Sequence, residues 1–132
     1  MHTSTLEISP TDRFTDLTGR VRSFVADRGD GLVTVFLPHA TAGVAIFELG
    51  AGTEPDLSET IDRLVPRDER WTHQHGSAGH GADHVLPAFI APSITIPVVA
   101  GEPMLGTWQS IVLVDTNVDN PRRRVHLAFV AG

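Results

Sequence analysis

Leu32-Val33-Thr34-Val35-Phe36-Leu37, then Pro38-His39-Ala40-Thr41, then a second apolar stretch over Ala42–Leu49, is the part of the chain that decides the fold. The first stretch is β-branched and apolar, so it reads as a buried strand. Pro38 interrupts it, and Gly50-Ala51-Gly52 closes the second strand. Two strands joined by a short connector carry no crossover helix, which is the habit of antiparallel rather than parallel sheets. The same pairing recurs towards the C-terminus, where Ser93–Val99, Trp108–Val114 and Arg124–Val130 read as three further strands. Thr3–Ile8 alternates polar and apolar residues and forms a short first strand.

Helical spacing fills the gaps. Phe14, Leu17, Val21, Phe24 and Val25 recur at three and four residues, which predicts a helix from Phe14 that ends at Gly29. Pro55 opens a second helix with Leu57, Ile61, Leu64 and Val65 on one face, and Pro66 ends it. Residues 67–81 are polar and rich in Gly and His and read as a loop; Ala82–Ile90 is a short helix that contains Pro87. The order β-α-β-β-α-α-β-β-β is an α+β pattern, a mostly antiparallel sheet with helices packed on one face. No linker or repeat divides the chain, so residues 1–132 are expected to be one domain.

Composition narrows the function. Ten Lys+Arg against 16 Asp+Glu leave a formal charge of −6, which argues against a nucleic-acid partner. The chain has no cysteine, so disulfides, iron–sulfur clusters, thiolate zinc sites and cysteine nucleophiles are excluded. No apolar run reaches the roughly 20 residues of a membrane helix. The first residues show no basic-then-apolar leader, and the expected compartment is the cytoplasm.

Four groups of residues bear on chemistry. His73, His75, His80 and His84 fall within twelve residues; this is either a solvated polar loop or a set of imidazole ligands. His39 stands between two apolar strands, as a strand-end histidine bonded to backbone or as a functional one. Glu48 follows the apolar run Gly43–Phe47 as a base, a ligand or a carboxylate exposed at a strand end. Gly106-Thr107-Trp108-Gln109 offers a flat ring and an amide, and Arg122-Arg123-Arg124 is either a phosphate clamp or a solvated loop.

These pieces occur together in the order of one family. His39-Ala40-Thr41-Ala42 with Glu48, Glu54-Pro55-Asp56, Arg70-Trp71-Thr72-His73 and Ala82-Asp83-His84 come first. Pro92-Ser93-Ile94-Thr95-Ile96-Pro97-Val98 with Gly101, Leu105-Gly106-Thr107-Trp108-Gln109-Ser110-Ile111 and Arg122-Arg123-Arg124 follow. Over roughly residues 5–132 the chain resembles the YjbQ-like family, uncharacterised protein family 0047, also called the secondary thiamine-phosphate synthase family. The resemblance implies a compact α+β subunit, a homotrimer and a polar site near a subunit boundary. It implies that His39, His73 and His84 hold a divalent metal, most plausibly zinc, and that His39 and Glu48 are catalytic. It implies that Thr107, Trp108, Gln109, Arg122, Arg123 and Arg124 meet a small phosphorylated metabolite. His75 and His80 match no family histidine and read as bystanders.

The chain also departs from the family pattern. Phe47 and Leu49 stand where Asn usually flanks the glutamate, Leu86 stands for a lysine, and Gly79-His80-Gly81 replaces polar residues before the helix. Two functions follow from the resemblance: weak thiamine-phosphate synthase activity, or a non-catalytic trimer that binds a small anionic metabolite or a metal. An enzyme needs acid, base and anion clamp within a few ångströms; a binding protein does not need the acid–base pair.

Overall fold

The strands form two antiparallel sheets. The computed structural model describes all residues from 1 to 132. In chain order the elements are β1 (His2–Ile8), β2 (Phe14–Asp16), α1 (Thr18–Val25), β3 (Gly31–Phe36), β4 (Gly43–Phe47) and α2 (Thr53–Leu64). There follow α3 (His80–Phe89), β5 (Ser93–Val99), β6 (Glu102–Pro103), β7 (Ser110–Val114) and β8 (Arg123–Ala131). One sheet has the order β1-β8-β3-β5-β6 and the other β2-β7-β4. The architecture is α+β with antiparallel pairing throughout, as the strand order implies.

Strand alternation sorts the core into two layers. Val33, Val35, Ile96, Val98, Val125, Leu127 and Phe129 from the larger sheet meet Val44, Ile111 and Leu113 from the smaller one. Leu17, Val21 and Val25 join this layer, placing α1 against it. Val114, on the opposite face of β7, packs with Ile61 and Val65 of the α2 region and with Ala82 and Leu86 of α3. So α2 and α3 cover the smaller sheet, while the outer face of the larger sheet carries no helix. There Leu32, Phe36, Val99 and Val130 are 42–53% exposed.

Two segments differ from the sequence reading. Phe14 does not begin a helix: residues 14–16 pair with Val112–Val114, and Phe14 meets Phe47 edge-on at 5.8 Å. The helix starts after an Asx turn in which the Asp16 carboxylate accepts the Thr18 N–H at 2.9 Å. Phe14 thus shares the spacing of the helix face only by coincidence. The strand expected from Trp108 begins at Ser110, because Gly106–Gln109 is a closed turn: Gln109 N–H donates to the Gly106 carbonyl at 3.1 Å. Gly106 N–H in turn donates to the Gln109 side-chain oxygen at 2.7 Å.

Gly43, the first residue of β4, lies under the end of α3, where a Cβ would collide with the Ile90 carbonyl oxygen. The obstacle is backbone, held in place by Val44 N–H donating to the Ala91 carbonyl at 2.9 Å. Gly43→Ala should therefore destabilise the fold by about 1–3 kcal/mol, the usual range for overpacking. Urea denaturation would show this as a lower midpoint at unchanged slope; a wild-type midpoint would refute the close packing.

Candidate metal centre

Four imidazoles converge at the start of α3. One nitrogen from each of His73, His75, His80 and His84 lies within 4.8 Å of the others. His80 and His84 sit four apart on one helical face; their rings meet edge-to-face at 4.8 Å, and their Nε2 atoms are 3.0 Å apart. His73 and His75 come from the segment between α2 and α3. Ring centroids are 3.9 Å apart for His73 and His84, and 4.0 Å for His73 and His75. Local packing fixes that segment. Trp71 Nε1 donates to the Pro66 carbonyl at 2.8 Å. A Cβ at Gly81 would come within 2.5 Å of the His73 carbonyl and of Trp71, so only glycine lets the segment lie on the helix.

Two members of the cluster are electrostatically biased towards the neutral form. Burial first, and then the neighbouring imidazoles, lower the affinity of His73 and His84 for a proton below the ordinary histidine value. His73 Nε2 is buried and has no hydrogen-bond partner. A buried nitrogen lone pair or N–H left unmatched is costly, and a metal ion on the lone pair would remove that cost. Zinc–imidazole distances of about 2.0–2.1 Å require nitrogens about 3.3 Å apart in a tetrahedron. The pair at 3.0 Å is close to that spacing, and all four donor nitrogens fall within a 4.8 Å span.

Carboxylates stand behind the imidazoles. His80 Nδ1 lies 2.7 Å from Asp119 and 3.8 Å from Asp83. The approach to Asp119 is too bent for a directed hydrogen bond, so it is a close polar contact. It leaves His80 Nε2 facing the cluster centre, the side-by-side arrangement that carboxylates give metal-bound histidines. Ser77 N–H and hydroxyl hold Asp119 at 3.2 and 3.0 Å and keep its carboxyl below the usual range. Asp83 is fully buried; Arg67 grips both its oxygens at 3.1 Å, and the Thr116 hydroxyl donates to it at 2.7 Å.

The structure separates the other expected residues from this centre. His39 stands outside the cluster. Its Nε2 accepts the Arg124 backbone N–H at 2.8 Å, and burial, then the nearby Arg123 charge, lower its proton affinity. Its lone pair is thus engaged, and its proton sits on Nδ1. His39 lines a cavity of about 680 Å³ with Ser9, Arg122, Arg124 and Glu7. Arg123, grouped with them in the sequence reading, faces inwards: it is 2% exposed and closes a two-pronged pair on Asp115 at 2.7 and 3.0 Å. Its Nη2 also donates to Thr41 Oγ1 at 2.8 Å. Arg123 is therefore a structural residue and not a ligand clamp. Arg124 keeps only a solvent-exposed contact with Glu7 at 3.5 Å, which holds it weakly.

Glu48 is exposed just beyond β4 and makes no ion pair or side-chain hydrogen bond. Thr107, Trp108 and Gln109 lie in the exposed turn before β7, and Trp108 is 73% exposed. His75 and His80, set aside in the sequence reading as bystanders, are members of the cluster. The sequence did hold the signal: His80-x-x-x-His84 is a metal-ligand spacing once the helix starts at His80. Placing that start at Ala82 hid it. Asp83, Asp115 and Arg67 went unread because nothing in the sequence marks a charged residue as buried.

A sandwich of two antiparallel sheets with two helices over one face, and with an imidazole cluster at a helix start, defines a class of small α+β subunits. The chain belongs to the YjbQ family, described as "UPF0047 protein YjbQ-like", which matches residues 2–132. It is similar to UPF0047 protein Rv2556c of Mycobacterium tuberculosis, with 61% identity over all of both chains. It is also similar to UPF0047 protein YugU of Bacillus subtilis, at 31% identity, covering 91% of this chain and 92% of that one. Among solved structures it resembles hypothetical protein APE1520 of Aeropyrum pernix, with TM-score 0.86, 33% identity and full coverage of both chains. The YbjQ-like protein of unknown function SSO2532 of Sulfolobus solfataricus shares the fold, with TM-score 0.91 at 21% identity, over 99% of this chain and 97% of that one.

Removing Arg123 would strand Asp115 in the interior without its counter-charge. Arg123→Ala should cost about 3–5 kcal/mol, whereas Arg122→Ala, at the surface, should change stability by less than about 0.5 kcal/mol. Comparing the two in equilibrium urea unfolding checks this; equal midpoints would refute the sorting of the three arginines.

Proposed function

We propose that this protein binds a divalent transition metal, zinc above all, through His73, His75, His80 and His84, and that it takes a small phosphorylated metabolite. The observation that carries this reading is the convergence of four imidazoles around a buried, unpartnered His73 Nε2. An all-nitrogen donor set suits zinc, copper or nickel and disfavours magnesium and calcium. Bound there, the metal would supply Lewis-acid stabilisation of oxyanion charge.

The chain's own residues would do the rest. Arg122 and Arg124 present forked donors to a phosphate in the His39 cavity, and His39 Nδ1–H adds a neutral donor beside them. Thiamine-phosphate synthase chemistry joins a pyrimidine to a thiazole phosphate: a carbon–nitrogen bond forms and pyrophosphate departs with the electrons of the broken carbon–oxygen bond. In this reading such turnover is a weak secondary activity. The exposure of Glu48, the expected base, favours the second reading, a protein that binds metal and anion without catalysis.

We further propose a homotrimer and a cytoplasmic location. The uncovered outer face of the larger sheet supports self-association, since Leu32, Phe36, Val99 and Val130 stay half exposed in one subunit. Light scattering should give three times the 14.2 kDa chain mass; a stable monomer at micromolar concentration would refute the trimer.

Untagged protein should carry close to one zinc per chain by elemental analysis, and His84→Ala and His80→Asn should both lose it. Because His73 and His84 bind protons less readily than an ordinary histidine, with a pKa of about 6.5, occupancy should persist through pH 6.5 and fall below about pH 6. No metal in wild type, or equal metal in both variants, would refute the site. Full metal with no phosphate-ester turnover would leave the binding-protein reading standing.

A further inference from the structure

A second cavity, of about 360 Å³, is lined by residues 10–13, by Arg67 and by the segment around Asp115–Pro121 that follows β7. Arg13, Arg67, Asn117 and Thr11 are among its lining residues, and its size is within the range of small-molecule sites. We propose that this cavity is an oxyanion site, built for the phosphate of a small phosphate ester and distinct from both the imidazole cluster and the Arg122–Arg124 groove. It rests on side chains of this chain alone and does not depend on a bound metal.

The argument is an inventory of hydrogen-bond donors without acceptors. Asn117 is 9% exposed. Its Oδ1 accepts the Asp119 and Asn120 backbone N–H groups at 2.6 and 3.2 Å, which fixes the orientation of the amide. Nδ2 is thereby left buried with no partner. A buried amide nitrogen without an acceptor is rare and costly, and a ligand oxygen would satisfy it. Arg13 donates only through Nη1, to Ser58 and Asp62, so its Nε and Nη2 edge is free. Arg67 uses Nε and Nη2 on Asp83 and Ser77, so Nη1 is free. The chain contains no lysine, so every side-chain cation other than a protonated histidine is a guanidinium, whose planar fork matches phosphate oxygens.

The carboxylates of the lining do not cancel this. Both Asp115 oxygens are held by the buried Arg123, and Oδ1 also accepts the Asn117 N–H at 3.0 Å. Asp12 is exposed, where solvent screens it. The Thr11 hydroxyl and the Asn120 amide of the lining can donate or accept, so the unmatched groups among the lining residues are the Asn117 Nδ2 and two guanidinium edges, and the matching ligand is acceptor-rich and anionic.

Asn117→Asp tests the proposal with little change of shape. It keeps the Oδ1 acceptor of the turn and replaces the unpartnered donor by a carboxylate oxygen. Inorganic phosphate and pyrophosphate would be titrated into the full protein, stripped of metal and again loaded with zinc. The response would be followed by nitrogen–proton NMR at the Thr116–Asn120 backbone amides and at the Arg124 amide beside His39. The expected result is saturable shifts at 116–120 in both metal states, weakened about ten- to hundredfold in Asn117→Asp and in Arg13→Gln. Arg13→Gln removes a surface ion pair and serves if the buried change unfolds the chain. Shifts confined to the Arg124 amide, no saturable response at all, or wild-type affinity in a folded variant would each overturn the proposal. None of these outcomes bears on metal binding by the imidazoles, so failure here is separable from failure there.

Discussion

Asp115 and Arg123 are each almost wholly buried, and two hydrogen bonds lock them together. Asp115 leaves β7 in the smaller sheet and Arg123 enters β8 in the larger one, so the pair joins the two sheets at one end. Thr41, just before β4, is the third member. Burying two charges is expensive, and this arrangement offsets the cost only because the geometry is two-pronged and further donors complete it. Once the pair is in place, much else is determined. Strand alternation turns Arg124 outwards as soon as Arg123 points in, and the Arg124 backbone N–H then meets His39. The turn 117–120 is bound from its first residue, since the Asn117 N–H ends on Asp115.

A second buried carboxylate serves the imidazole cluster in the same way. Asp83 lies between Arg67 and Thr116 at the foot of α3. Its charge is balanced by a cation from the segment after α2, and a hydroxyl from the segment after β7 donates a further hydrogen bond. Three stretches distant in sequence therefore converge beneath the histidines. The cluster gains a rigid floor without a carboxylate among its ligand atoms. Burial and the neighbouring imidazoles lower the proton affinity of His73 and His84, and the carboxylates behind are held by arginine and serine, so those two nitrogens favour the lone-pair form. That is the electrostatic condition for metal binding rather than for a proton-accepting switch.

The sequence made the strands legible because Ser110–Val114, buried on both faces, is almost continuously apolar, and Leu32–Leu37 is nearly so although Leu32 and Phe36 lie on the uncovered face. It could not show that the strands divide into two sheets. Alternation says that a residue faces inwards, but not which partner it faces, and Val112 and Val114 differ from Ile111 and Leu113 only in that respect. Phe14 was misread because its spacing to Leu17 and Val21 fits a helix, while the Asx turn at Asp16 breaks the chain direction between them. At the candidate site, His73 and His84 were legible from the family pattern. His80 was not, since its role depends on where α3 begins. Buried ion pairs leave no trace in composition, so Arg122, Arg123 and Arg124 looked equivalent until strand alternation separated them.

The charge layout bears on what the protein can recognise. With a net charge of −6 the long-range field does not attract anions, so any anion must be held by local groups. Seven of the ten arginines have an acidic partner within 4.0 Å: Arg13, Arg22, Arg63, Arg67, Arg70, Arg123 and Arg124. A guanidinium has five N–H donors, and pairing with one carboxylate engages at most half of its edges. Arg123 is the one that is almost wholly buried, its Nε and Nη2 engaged by Asp115 and Thr41. Arg13 and Arg67, each with an unpaired edge, line one cavity, and Arg122 and Arg124 line another. The protein thus presents two separate donor-lined sites on either side of one buried ion pair. The Asp115–Arg123 lock touches both: Asp115 lines the first cavity, and Arg122 and Arg124, which flank Arg123, line the second, so loosening the lock would disturb both linings together.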